Sequence, residues 1–142
     1  MADMTVVSAN VRALTSHGAL VVPGVAGATV TIGYLVYQNS SGLWEHADAN
    51  VSATLATVTG MAVQSYDGED TVTVNNALSV CLRGPIGGFT DLNENALYYL
   101  SNTVGRVSDA EGAFDRIIGF GMLLAGEIVL NLDIQLTDAA SD

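Results

Sequence analysis

Apolar positions in this chain recur with a period of two. Ile128, Leu130, Leu132, Ile134 and Leu136 fall on one side, and Val129, Asn131, Asp133 and Gln135 on the other. Alternation of this length predicts a half-buried β-strand. Leu78, Val80 and Leu82 oppose Ser79, Cys81 and Arg83 in the same way, and Val72 and Val74 alternate with Thr71, Thr73 and Asn75. Shorter strand-like runs cover residues 19–22, 29–32, 35–38, 55–64 and 117–124. Fifteen glycines punctuate these runs, and Asn39-Ser40-Ser41-Gly42, Tyr66-Asp67-Gly68 and Gly84-Pro85 are expected to turn the chain between them. No amphipathic helical face persists for three turns, so any helix is short, at residues 47–55 or 109–114. The fold class is therefore mainly β, a small β-sandwich or barrel-like domain.

The chain also echoes itself. Leu35-Val36-Tyr37-Gln38, a polar turn ending in Gly42, Leu43-Trp44 and Ala47-Asp48-Ala49 are matched by Leu97-Tyr98-Tyr99-Leu100, a turn ending in Gly105, Val107 and Ser108-Asp109-Ala110. Each unit then reaches a glycine-headed apolar run, Gly60-Met61-Ala62-Val63 or Gly119-Phe120-Gly121-Met122. Two copies are too few for a solenoid but suit a compact domain of two pseudo-repeated hairpin units. The alternative is that two hairpins resemble each other by chance.

Composition narrows the function. At 142 residues the chain is long enough for one domain with its own core. All four cations are arginines (Arg12, Arg83, Arg106 and Arg116), set against 15 acids for a net charge of −11. Without lysine there is no P-loop, no Schiff-base lysine and no polybasic membrane patch. Four scattered cations cannot neutralise a run of phosphates, so direct nucleic-acid binding is not expected. Apolar residues make up 49% and charged residues only 13%, a balance that points to apolar surface buried against partners. The apolar stretch 117–126 is too short to span a bilayer as a helix, and the first residues lack a secretory pattern, so a cytosolic origin without membrane contact is expected. The lone Cys81 excludes an internal disulfide.

Candidate chemistry is sparse. His46 and Asp48 would share a face of an extended segment and orient one another, although a histidine at a hairpin end is more often structural; His17, before Gly18, reads as a turn residue. Two histidines and one cysteine far apart do not make a zinc site. Asp91-Leu92-Asn93-Glu94-Asn95 has the alternating oxygens of a calcium loop, but Ala96 and Asn102 stand where a glycine and a bidentate glutamate are needed. Cys81, mid-strand, reads as a sheltered thiol. Trp44, Tyr34, Tyr37, Tyr98 and Tyr99 cluster in the paired hairpins, as a sugar platform or, more commonly, as cross-strand packing. No catalytic residue, metal or cofactor is expected, and the chain reads as a non-enzyme.

Ser8-Ala9-Asn10-Val11, Ala26-Gly27-Ala28-Thr29-Val30, Gly33-Tyr34-Leu35-Val36-Tyr37, Gly42-Leu43-Trp44 with Ala47-Asp48-Ala49, and Leu97-Tyr98-Tyr99-Leu100-Ser101 with Gly105, in that order, resemble the small decoration, or capsid cement, proteins of tailed bacteriophages. The resemblance spans residues 5–136; Tyr34 departs from it, where an acidic residue is expected, as does the lack of lysine. It implies a structural protein on the outer surface of a mature virion head, with the major capsid protein and copies of itself, as a homotrimer, for partners. Residues 1–17 then read as an extended N-terminal arm and 18–142 as a single β-rich domain. Thr5, Val6, Val7 and Val11 form an apolar, strand-competent face on the arm. They are the expected contacts with the capsid or a neighbouring subunit, through strand addition to an exposed edge. The alternative for the arm is pairing within its own domain. The alternative function is a carbohydrate-binding or adhesion module with Trp44 and the tyrosines exposed.

Overall fold

A computed structural model describes residues 2–48, 58–112 and 116–134. Twelve strands form among them: β1 (Arg12–Ala13), β2 (Leu20–Val25), β3 (Val30–Thr31), β4 (Leu35–Gln38), β5 (Trp44–His46), β6 (Gly60–Ser65), β7 (Thr71–Val72), β8 (Ala77–Gly87), β9 (Leu97–Leu100), β10 (Val107–Ser108), β11 (Ile117–Leu124) and β12 (Glu127–Leu132). Eight run side by side in one antiparallel sheet in the order β10-β9-β11-β12-β8-β6-β4-β5, with β1 and β2 on the other edge of β8, while β3 and β7 pair separately. The fold is mainly β, and its strongly curled sheet is barrel-like.

The echo in the sequence is an echo in the wiring. Strands β4, β5 and β6 lie at one end of the sheet in the order β5-β4-β6, and β9, β10 and β11 lie at the other in the order β10-β9-β11. Both hairpins turn by the same device: the Asn39 side chain accepts N–H bonds from Ser41 and Leu43, the Ser101 hydroxyl accepts one from Thr103, and Gly42 and Gly105 follow at φ +81° and +72°. The match keeps its register in the third strand but is turned over. Gly60 faces Val36 and Gly119 faces Tyr98, the equivalent position, yet Val36 points into one core and Tyr98 into the other.

Two cores result, one on each side of the sheet. Leu78, Val80, Ala62 and Val36 project into one, which β3 and β7 cover with Val30 and Val72 and which Ala26 and Trp44 complete. The curl closes around this core, because Ala26 forms a parallel bridge with Trp44. Cys81, Met61, Val63 and Leu35 project the other way, into a second core shared with Ile86, Tyr98, Leu100, Leu130 and Leu132.

Several expectations change. Gly84-Pro85 does not turn the chain, since β8 runs through it. Gly84, at φ +103°, bends the strand past Ala19, whose Cα lies 2.5 Å from where a Cβ would sit. Pro85 is tolerated because its C=O points to the β1 edge, where it accepts the Leu14 N–H at 2.9 Å. Its missing N–H falls on that same edge, clear of the ladder to β12. Val74 leaves the strand pattern: β7 ends at Val72, and Asn75 at φ +72° turns the chain. Alternation in β12 holds for Leu130 and Leu132, but Val129 is buried as well. Arg12 crosses Gly87 to reach Glu127, over the side from which Val129 projects. Residues 47–48 and 109–112 are not helical; the rest of both possible helices, and Gln135 and Leu136, lie outside the described residues.

Candidate functional site

The residues considered for catalysis are held as structural parts. His46 ends β5, and its Nε2 accepts the Thr31 N–H at 2.9 Å, tying β5 to β3. Its ring lies 5.0 Å from that of Tyr34, which the Arg106 guanidinium approaches to 5.5 Å. Burial pushes the His46 pKa below its ordinary 6.5, so the folded protein holds it neutral. Below pH 6.5 the unfolded chain takes up a proton that the folded chain resists, and stability falls as pH drops through the folded pKa. Melting curves from roughly pH 7.5 down to 5 should show this loss, and His46→Gln should flatten it over that window. A slope unchanged in His46→Gln would assign the acid sensitivity to other groups.

His17 is exposed, at the end of a 3-10 turn closed by Gly18 at φ +102°. Cys81 is fully buried, its thiol donates to the Arg83 C=O, and burial pushes its pKa up, as suits a sheltered thiol. The acidic stretch 91–95 is engaged with the protein itself: both Asp91 carboxylate oxygens accept the Thr5 N–H, at 2.9 and 3.0 Å. Among the described residues no group of three His, Cys, Asp or Glu side chains could hold a metal. Trp44 is only 5% exposed and Tyr98 1%, so neither offers a sugar a face to stack on.

The N-terminal arm is extended but lies on its own domain. The Met4 N–H donates to Val107 C=O at 2.7 Å, Asp109 N–H to Ala2 C=O at 3.1 Å, Val7 N–H to Gly88 C=O at 2.9 Å and Thr90 N–H to Thr5 C=O at 3.1 Å. Asp3 bridges Ser108 and Val6 bridges Phe89. Strand addition to a neighbour would require these bonds to break, so the arm completes its own sheet, the alternative open from the sequence. Of the four arm positions, Val6 and Val11 pack against the core, while Thr5 and Val7 remain exposed. Both ends of the sheet are thereby covered: β10 by the arm, and β5 by Ala26 and Gly27.

What stays open is a face rather than an edge. Register places Leu97, Phe120 and Asn131 in one row across β9, β11 and β12, and Met122 beside Val129 in the next, on the side facing away from Tyr98, Leu130 and Leu132. Leu97 is 50% exposed, and Phe120, Met122 and Leu124 are half-buried. In the first repeat the side carrying Val36, Ala62 and Val80 is roofed by β3 and β7; among the described residues no second ribbon does this for the second repeat. Sequence reasoning favoured the arm and missed this face. The signal was there: residues 117–124 are apolar or glycine at every position, the mark of a strand covered on both faces.

No protein-family model matches the chain, and neither a curated protein nor a solved structure is significantly similar to it.

Proposed function

We propose that this chain is a non-enzymatic structural protein of a tailed-phage virion, which binds the outer surface of the mature capsid and stabilises the shell. Its partners in this reading are the major capsid protein and copies of itself in a homotrimer. The observation that carries the proposal is the partly exposed apolar face of Leu97, Phe120 and Met122 on β9 and β11, which no ribbon roofs among the described residues. Burying such a face releases water from apolar surface at about 25 cal/mol per Å², and the gain needs no complementary charge. With both sheet ends covered, contact through this face replaces strand addition as the main mode, and Thr5 and Val7 on the arm's outer side contribute beside it. The sequence resemblance supplies the identity of the surface; the face supplies the physics.

The test is occupancy on expanded heads, read by electron microscopy or co-sedimentation. The chain should stay bound in about 1 M salt, where the screening length falls to about 3 Å, because a net charge of −11 gives no attraction to an acidic shell. The double variant Leu97→Asp, Phe120→Asp should keep the wild-type circular dichroism spectrum and lose occupancy at least tenfold. Full occupancy by that variant, or release of the wild type at moderate salt, would overturn the proposal.

A further inference from the structure

The curl that brings β2 round to β5 is fastened where Ala26 and Gly27 meet Trp44. Beside the Ala26–Trp44 bridge the indole lies over Gly24, with Nε1 2.4 Å from where a Cβ on that glycine would be. Next to this clasp is a groove of about 530 Å³, lined by Val22 and Pro23 of β2, Trp44 of β5, Leu82 of β8 and Ile134. Open ends of curled sheets are habitual ligand sites, and this volume lies within the usual range for one. Pro23 has no N–H to offer, which weakens this stretch of β2 as a template for an added strand. An occupant is therefore held by side chains.

One polar feature gives the groove a preference. Arg83 stands exposed at the groove. Arg12 is paired with Glu127 and Arg106 donates to the Met4 C=O, but among the described residues no acceptor holds the Arg83 guanidinium. Asp133, also at the groove, already has a partner. In a chain with 15 acids and four arginines, a cation left open beside an apolar cleft selects an anion attached to an apolar body.

We propose that this groove is a docking site for a peptide segment of a partner polypeptide, one that seats a branched apolar side chain against Val22, Leu82 and Ile134 and sets a neighbouring carboxylate on Arg83. The inference is independent of head binding and is tested on the isolated chain. Trp44 is the only tryptophan and lines the groove, so its fluorescence reports occupancy directly. N-acetyl-Asp-Leu-Leu-amide should shift the Trp44 emission saturably, and the Asn counterpart should bind about tenfold more weakly, as expected for loss of one charge-assisted bond. Arg83→Gln, an exposed substitution that leaves the fold intact, should make the two peptides equal. Absence of a saturable shift, or an Asp preference that survives in Arg83→Gln, would overturn the site. Decanoate that saturates Trp44 where the peptide does not would overturn the peptide assignment in favour of a lipid-like carboxylate.

Discussion

Gly121→Val should destabilise the protein by about 3 kcal/mol or more and lower its melting temperature by roughly 10 °C. Gly121 lies on the core side of β11, facing Leu130. The stretch 91–95 folds directly over it: a Cβ at Gly121 would stand 2.0 Å from the Asn93 carbonyl oxygen and 2.9 Å from its carbon. These are backbone atoms, so no rotamer change relieves the clash. The covering stretch is also pinned. Asn95 N–H donates to the Gly121 C=O at 2.8 Å, Gly121 N–H to the Ala96 C=O at 2.9 Å, and Asn93 N–H to the Tyr98 hydroxyl at 2.7 Å. Moving Asn93 strains all three bonds and drags Asp91, which holds Thr5 of the arm. Gly68→Ala is the comparison. There φ is +79° but no atom lies within 4 Å, so only backbone strain of about 1–2 kcal/mol is added. Equal melting temperatures for the two variants would show that residues 91–95 do not seal the core as described.

The fold was legible wherever one physical rule acted alone. Alternation located β8 and β12, and the matched stretches 35–46 and 97–108 were legible as two hairpin units, because both turns need a glycine and a side-chain acceptor. Errors arose where a tertiary contact outvoted a local rule. Gly84-Pro85 is a turn signal in isolation, but β12 and β1 on either side of β8 hold it extended. Val129 reads as outward, yet Arg12 reaches over its side of the sheet to Glu127. Burial of Cys81 opposite Val80 on β8 follows from a second core that no single strand announces. That equivalent positions such as Val36 and Tyr98 face opposite sides of the sheet is likewise invisible until the strands are paired.

Less of the candidate interaction surface was legible, for a related reason. An apolar arm and an apolar sheet face look alike in composition, and only pairing shows which of them is already engaged. Val6 and Val11 carry the residue types of an interface and serve as core. Phe120 and Met122 carry the residue types of a core and lie on a face that no ribbon roofs among the described residues. The aromatic cluster divides in the same way: Trp44 and Tyr98 became packing, while Tyr34 lies tilted against His46 and beneath the Arg106 guanidinium.

Deletion of residues 1–8 should therefore cost the isolated protein several kcal/mol, where a dispensable arm would cost almost nothing. Met4 is 6% exposed within the central core, and truncating a buried methionine alone typically costs about 2–5 kcal/mol. Deletion also strips the arm from Val107 and Asp109 and bares the edge of β10. It removes the Met4 C=O from the Arg106 guanidinium and leaves Asp91 without the Thr5 N–H. Any loss of head binding by the truncated chain would thus mix unfolding with lost contact. Val7→Asp separates the two. The Val7 side chain is 37% exposed, and the N–H bond to Gly88 uses only its backbone, so the variant should melt within about 0.5 kcal/mol of the wild type. An outward carboxylate on a contact surface is buried unpaired when the partner docks, at a cost of several kcal/mol, so head occupancy should drop by more than tenfold. Unchanged occupancy of Val7→Asp alongside a destabilised deletion would confine the arm to its own domain and leave the β9, β11 and β12 face as the sole contact.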